Sequence, residues 1–210
     1  YDFSENLARI SIYKPYDKPG EEDSVYLSGY INEAGEIVIP IKYDTGPYHF
    51  GSFKEGMVPV YKNGKFGYMD KLGKVTIPYL YQTAGDFNDG LAVVSKNNKY
   101  GVIDQKGKIV VPFKYNWLDD YSEGLAMYGT QTQWSEGEEA AKYGFVNKKG
   151  DIVIKAKWDN AIRFSEGLAA VKSVNGDTEK WGVIDKSGKV IVSPKYDLAF
   201  IEAKGDGDID

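Results

Sequence analysis

The chain has 210 residues, no cysteine, one histidine and a formal net charge of −5 at pH 7. The missing cysteines exclude disulfide frameworks, thiolate zinc sites and Cys nucleophiles together. The acidic balance speaks against a nucleic-acid partner, which asks for a basic face. No apolar run approaches the roughly 18 residues of a membrane span, so no membrane insertion is expected. The chain begins at Tyr1 rather than Met and shows no signal-peptide pattern, which fits a processed or excised polypeptide. With 17 Tyr and 24 Gly, and no long 3.6-residue periodicity, the composition points to an all-β fold.

In chain order, the first predicted element is a strand over Phe3–Ile12 that opens on Phe3-Ser4-Glu5-Asn6-Leu7. The stretch Lys14–Val25 leads to a second strand, Ser28-Gly29-Tyr30-Ile31-Asn32, then Gly35 and an apolar third strand before Pro40. Tyr43 follows, with a return link four residues longer than later ones, containing Tyr48 and His49. The same order returns from Phe53, Phe87, Tyr121 and Phe164, each opening an aromatic-x-acid-Gly phrase. The matching second strands are Phe66-Gly67-Tyr68-Met69-Asp70, Tyr100-Gly101-Val102-Ile103-Asp104, Tyr143-Gly144-Phe145-Val146-Asn147 and Trp181-Gly182-Val183-Ile184-Asp185. Gly67 to Gly101, Gly56 to Gly90 and Gly90 to Gly124 are each 34 residues apart, a period that marks a repeat architecture.

Each unit reads as an opening turn, a first strand, a connecting turn, a second strand, a closing turn and a third strand. Asn63-Gly64 and Asn97-Asn98 are hairpin signals for the connecting turn, and Gly73, Gly107 and Gly188 serve the closing turn. Pro40, Pro78, Pro112 and Pro194 cannot donate to a ladder and are expected to end the third strand, with Lys155 departing from the pattern. The aromatics Tyr43, Tyr81, Tyr115, Trp158 and Tyr196 are expected to stack as a ladder.

These phrases resemble the bacterial WG-repeat (KWG-repeat) family, whose consensus is similar to K-W-G-[FVY]-I-D-x-x-G-x-x-V-I-P-x-x-Y-D followed by F-x-E-G-L-A-x-V. Lys180-Trp181-Gly182 carries the triplet intact, other copies place Tyr or Phe at its centre, and the match runs from Phe3 to about Phe200. The resemblance implies a tandem repeat of three-stranded antiparallel units and no common activity. Because such repeats often occur in exported bacterial proteins, it also implies a periplasmic, cell-surface or secreted location. We expect a single repeat domain over 1–210: a half unit at 1–12, units beginning near 28, 66, 100, 143 and 181, and a polar tail at 203–210. An open superhelical array is favoured over a closed five-bladed propeller-like ring, because repeats need only nearest neighbours to bury their faces.

Function is expected where the repeats differ. Gly90 to Gly101 is 11 residues, but the same interval is 23 from Asn6 to Gly29, 20 from Gly124 to Gly144 and 15 from Gly167 to Gly182. The inserted connecting turns, Lys14–Val25, Gly129–Ala141 and Ser173–Glu179, are acidic, while the closing turns on the opposite rim carry lysines such as Lys71, Lys106 and Lys186. A polarised surface for a charged protein partner follows, with Trp134, Glu136, Glu138, Glu139, Glu21, Glu22 and Asp23 as its candidate contacts. The alternative is a carbohydrate or cell-envelope module that stacks sugars on Trp117, Trp134 and Tyr48. An enzyme of unknown class ranks third. His49 is the one possible base for a Ser-His-Asp triad, and the recurring acids Glu5, Glu55, Asp89, Glu123 and Glu166 are equivalent residues rather than an unlike catalytic pair. They are expected to cap turn N–H groups, as are Asn32, Asp70, Asp104, Asn147 and Asp185. Asp206, Asp208 and Asp210 resemble the opening of a calcium loop without its twelfth-position Glu, so no metal or cofactor is expected.

Overall fold

A computed structural model describes residues 3–14, 25–44, 51–131 and 141–197. Among the described residues every regular element is a β-strand. The strands β1 (Leu7–Lys14), β2 (Val25–Asn32), β3 (Ile37–Asp44), β4 (Met57–Lys62), β5 (Lys65–Asp70) and β6 (Val75–Tyr81) form one antiparallel sheet in chain order. It consists of two three-strand meanders joined by a single pair, Asp44↔Tyr61. The strands β7 (Thr83–Ala84), β8 (Leu91–Lys96), β9 (Lys99–Asp104) and β10 (Ile109–Tyr115) form a four-stranded sheet. Two more follow: β11 (Trp117–Leu118) to β14 (Ile152–Trp158), through β12 (Leu125–Gly129) and β13 (Tyr143–Asn147), and β15 (Asn160–Ala161) to β18 (Val190–Tyr196), through β16 (Leu168–Asn175) and β17 (Thr178–Asp185).

The fold is all-β, as expected, and the sheets have four to six antiparallel strands; the return link contributes a strand of two residues in β7, β11 and β15. That strand escapes a pattern search because two residues carry no alternation. The chain divides into two compact units, residues 1–98 with 102–109, and residues 99–101 with 110–210. The first is built around Tyr30, Ile39, Phe53, Val58 and Met69. The second is built around Phe145, Ile154, Trp158, Phe164, Val171 and Ile184.

The proline lies inside the third strand rather than at its end. In β5 and β6, Phe66 pairs with Tyr81 and Tyr68 with Ile77, so the single residue Gly67 faces three residues, Pro78 to Leu80. The same bulge sets Gly29 against 40–42, Gly144 against 155–157 and Gly182 against 193–195. A bulge absorbs a residue that cannot donate, and the strand then resumes to its aromatic. It also drives the third-strand backbone onto the glycine: a methyl at Gly67 would come within 2.5 Å of the Ile77 carbonyl oxygen. The recurring Gly of each second strand is thus a close-approach residue.

At Tyr43 and Tyr115 the aromatic after the bulge binds the next repeat through its hydroxyl, where a ring-on-ring ladder was expected. Tyr43 Oη donates to the carbonyl of Gly73 at 3.1 Å, and Tyr115 Oη donates to that of Gly150 at 2.9 Å. Ring contacts recur elsewhere: Tyr30–Phe53, Tyr68–Phe87 and Phe145–Phe164 each meet edge-to-face with centroids 4.8 Å apart. Each of these pairs joins a second strand to the opening turn of the following unit.

Candidate functional site

The rim of connecting turns is built on one device. In the β4–β5 hairpin, Asn63 and Gly64 both take positive φ (50° and 78°), and in β8–β9 Asn97 and Asn98 do the same (52° and 57°). This is the two-residue primed turn whose twist matches that of the strands. The Ser173–Glu179 interval is not an inserted loop. Its ladder continues through Val174↔Glu179 and Asn175↔Thr178, so longer strands carry a tight turn at Gly176-Asp177. The β1–β2 ladder likewise runs out to Lys14↔Val25. In β12–β13 the strands separate after Thr130, whose N–H bonds the Lys142 carbonyl at 3.0 Å while its hydroxyl accepts the Lys142 N–H at 3.0 Å.

Below these turns runs a strip of polar clamps with a regular spacing. In three repeats the lysine just before the aromatic-Gly pair bonds the polar residue 17 positions later: Lys99 to Asn116, Lys142 to Asp159, Lys180 to Asp197. That residue then holds the next connecting turn. Asp159 Oδ2 accepts the Val174 N–H at 2.8 Å, and Gln82 Oε1 accepts the Asn98 N–H at 2.7 Å. Burial pushes the Asp159 carboxyl up, but Lys142, the Val174 N–H and Lys172 outweigh it, so it titrates below the usual range. The strip positions turns and leaves its charges paired.

The opposite rim is built from opening and closing turns. All five turn residues Asn32, Asp70, Asp104, Asn147 and Asp185 accept two N–H groups of their own closing turn at 2.9–3.1 Å, as expected. Three of the recurring acids cap turn N–H groups as expected, and the turn each one caps belongs to the following repeat. Glu5 accepts the N–H of Gly56 at 3.0 Å, Glu55 that of Gly90 at 2.8 Å, and Glu123 that of Gly167 at 3.0 Å. Each acid reaches the same turn one repeat later. The closing-turn lysines meet these acids, with Lys71 3.1 Å from Glu5 and Lys186 2.9 Å from Glu123. The rim read as basic therefore carries acids as well, and Lys71 and Lys186 are paired with them.

Of the sequence-derived contact residues, the structure describes Trp117 alone. It sits in β11 opposite Gly129, half-buried, with its ring edge-to-face on Tyr143 at 5.7 Å and packed on the core of the second unit. Trp134, Glu136, Glu138, Glu139, Glu21, Glu22, Asp23, Tyr48 and His49 lie outside the described residues, as do Asp206, Asp208 and Asp210. One feature went unread in the sequence: third strands begin with exposed β-branched pairs, Ile37-Val38, Ile109-Val110, Ile152-Val153 and Val190-Ile191. In β10, β14 and β18 the pair lies on a strand that ends its sheet.

Comparison with known proteins agrees with the repeat. A family model described as WG containing repeat matches residues 29–66, 66–100, 100–128, 143–176 and 181–205. No curated protein matches the chain. A crystal structure of the eukaryotic initiation factor is similar with a TM-score of 0.56 at 8% identity, covering 89% of this chain and 54% of that one. The chain thus spans about half the length of that structure, and the likeness is one of fold alone.

Proposed function

Because this chain belongs to the WG-repeat family and its repeated polar residues serve the joints between units, we propose that it is a non-enzymatic recognition or scaffold module. It meets a protein partner through the rim of connecting turns. One observation carries this reading. Connecting turns at 63–64 and 97–98 need two residues each, whereas the β12–β13 hairpin places eleven residues, Gln131 to Ala141, between the paired Thr130 and Lys142. The fold has no need of those nine additional positions, and they hold Trp134 with Glu136, Glu138 and Glu139. A large aromatic among acids suits a partner offering an apolar pocket rimmed by Lys or Arg. Glu21, Glu22 and Asp23, in the other long connecting turn, extend the same acidic character. The location that suits this role is periplasmic, cell-surface or secreted.

We further take the units to form an open superhelical array. In support, the acid-to-glycine joints of Glu5, Glu55 and Glu123 each involve only neighbouring repeats, the condition under which an array needs no closure. Small-angle scattering that returned the dimensions of a closed disc would reject it.

The function is tested by replacing Gln131–Ala141 with Asn-Gly, which restores the turn seen at Asn63-Gly64. The variant is expected to keep its melting temperature and lose capture of a protein that the intact chain retains from envelope or soluble extracts. Equal capture by both chains would move the binding face elsewhere, and retention of a glycan instead of a protein would favour the carbohydrate alternative.

A further inference from the structure

Two Asn-Gly pairs occur in the chain, Asn63-Gly64 and Asn175-Gly176, and Asn97-Asn98 fills in the next repeat the turn that Asn63-Gly64 fills. At each, a backbone nitrogen can attack the side-chain amide that precedes it. The ring so formed holds the Asn Cα, Cβ, Cγ and carbonyl carbon together with the next nitrogen. Cβ and that nitrogen must therefore eclipse across the Cα–C bond. An L residue meets this condition at ψ of about −120°, the value that the first central residue takes in a type II′ turn. The three pairs differ in how easily they reach it.

Asn63 stands at φ 50° and Gly64 at φ 78°, the type I′ arrangement, with Lys62 paired to Lys65 around them. Turning over the one peptide plane between Asn63 and Gly64 converts I′ into II′, because the two turns differ chiefly in ψ of the first residue and φ of the second. Asn63 keeps its positive φ, Gly64 accepts either sign, and the Lys62↔Lys65 pair stays closed. The Gly64 N–H makes no hydrogen bond among the described residues, so that plane is untethered. Asn97 and Asn98 hold the same turn at φ 52° and 57°, but there the plane is tied. The Asn98 N–H, the attacking group, donates to Gln82 Oε1 at 2.7 Å, and the Asn98 side chain accepts from Gln82 Nε2 at 2.7 Å. Asn175 is not a turn residue. It pairs with Thr178 as the last rung of the β16–β17 ladder, and reaching the reactive ψ would break that rung.

We propose that Asn63 is a self-modification site on the connecting-turn rim. The Gly64 nitrogen bonds to Asn63 Cγ, and its proton leaves with the side-chain nitrogen as ammonia. Water then opens the succinimide to aspartate or isoaspartate, and no other reactant is needed. Lys62 and Lys65 meet no carboxylate among the described residues. They favour the anionic nitrogen during attack and the carboxylate afterwards. Like charges directly opposite on a ladder are destabilising, and a carboxylate at position 63 offsets them. The aspartyl product keeps the hairpin, because Asp-Gly serves a type I′ turn as Asn-Gly does. The isoaspartyl product lengthens the main chain by an atom and unseats the Lys62↔Lys65 rung. Either way the rim gains a negative charge as the chain ages.

The test is peptide mapping of the full chain during storage at neutral pH, both folded and in urea. In the folded chain Asn63 should convert about tenfold faster than Asn175 or Asn97, the factor that one hydrogen bond of about 1.4 kcal/mol represents. In urea Asn63 and Asn175, which share the Asn-Gly sequence, should convert at the same rate. Gln82→Ala releases the Asn98 N–H and should raise the Asn97 rate about tenfold in a chain whose circular dichroism is unchanged. A folded-state rate at Asn63 no greater than that at Asn175 would overturn the proposal, since the local sequence alone would then set the chemistry. So would an Asn97 rate indifferent to Gln82→Ala.

Discussion

The carboxylate of Glu123 accepts the backbone N–H of Gly167 at 3.0 Å, reaching from one opening turn to the same turn of the next repeat. Glu123 stands at φ 50° and Gly124 at φ 85°, the two central residues of a primed hairpin turn closed by Ser122 and Leu125. A non-glycine residue in this region carries a cost of about 1 kcal/mol. The bonds to Gly167 and Lys186 offset it and give the acid a reason to stand where Asn or Gly would be easier.

Stability should fall on the acid side through this clamp. The Lys186 hydrogen bond and the Gly167 N–H hold the Glu123 carboxyl below its ordinary 4.5. A group with a depressed folded pKa contributes its full stabilisation above the unfolded value and loses it as the pH drops through the folded one. Glu123→Gln should therefore cost about 1 kcal/mol at pH 7, and the gap to the parent should close as urea titrations move from pH 7 to about pH 3. A gap of constant size would show that charge is not what holds the joint.

Trp158 should improve on conversion to tyrosine. Its indole N–H is buried without a hydrogen-bond partner, whereas Tyr115, one repeat earlier, reaches the Gly150 carbonyl. Gly188 overlies Ile154 as Gly150 overlies Val111, so a hydroxyl at 158 has the Gly188 carbonyl within its reach. Removing an orphaned donor and adding one hydrogen bond together bring about 2 kcal/mol, and the smaller ring forfeits about 1 kcal/mol of packing. Trp158→Tyr should raise the urea midpoint by the equivalent of about 1 kcal/mol and exceed Trp158→Phe. Equal midpoints for Tyr and Phe would mean that the hydroxyl does not find the carbonyl.

Two glycines should separate close approach from backbone conformation. Gly67→Ala brings a methyl to 2.5 Å from a main-chain oxygen and should destabilise by about 3 kcal/mol or more. Gly90 has φ 76° with open space around it, so Gly90→Ala should cost only the left-handed strain of about 1 kcal/mol. Denaturation midpoints of the two variants decide the matter, and equal losses would mean that the bulge relaxes around a methyl.

Alkaline unfolding should depend on Tyr30. Its hydroxyl donates to Gly51 at 2.8 Å from within the core, and burial pushes its pKa up to about 12. The protonated form is favoured in the fold, so this contribution is complete below the unfolded value of 10 and is lost as the pH rises through 12. Absorbance at about 295 nm should show Tyr30 ionising only together with unfolding, and Tyr30→Phe should move the alkaline midpoint upward. A midpoint indifferent to Tyr30→Phe would place the trigger elsewhere, with Tyr121, also raised by burial, the next to replace.

The repeat, the all-β class and the closing-turn caps were legible because they depend on short local phrases: Asp70 binds Leu72 and Lys74, two and four residues away. The acids were legible as turn caps but not as links from repeat to repeat, because Glu5 binds Gly56, 51 residues on. Proline misled for a related reason. The rule that it ends a ladder is sound, but a bulge opposite Gly67 lets β6 continue to Tyr81. At the candidate rim, length differences marked the right intervals. They could not tell a loop from a longer hairpin, and in β16–β17 the extra residues went into paired strand.

The bulge also bears on how this chain behaves when crowded. The third strands β6, β10, β14 and β18 each end a sheet, and β10, β14 and β18 show solvent a β-branched pair, the composition that seeds fibrils. Growth of cross-β needs six or seven residues of continuous backbone, and the kink with its proline leaves no third strand such a run. In β14, where Lys155 replaces the proline, the bulge remains and lysines stand at both of its ends, Lys155 and Lys157. A device that locks each repeat to the strand beside it thus doubles as protection against amyloid. Pro112→Val should be where thioflavin T binding first appears, and a variant that stays clear would show that the bulge suffices without its proline.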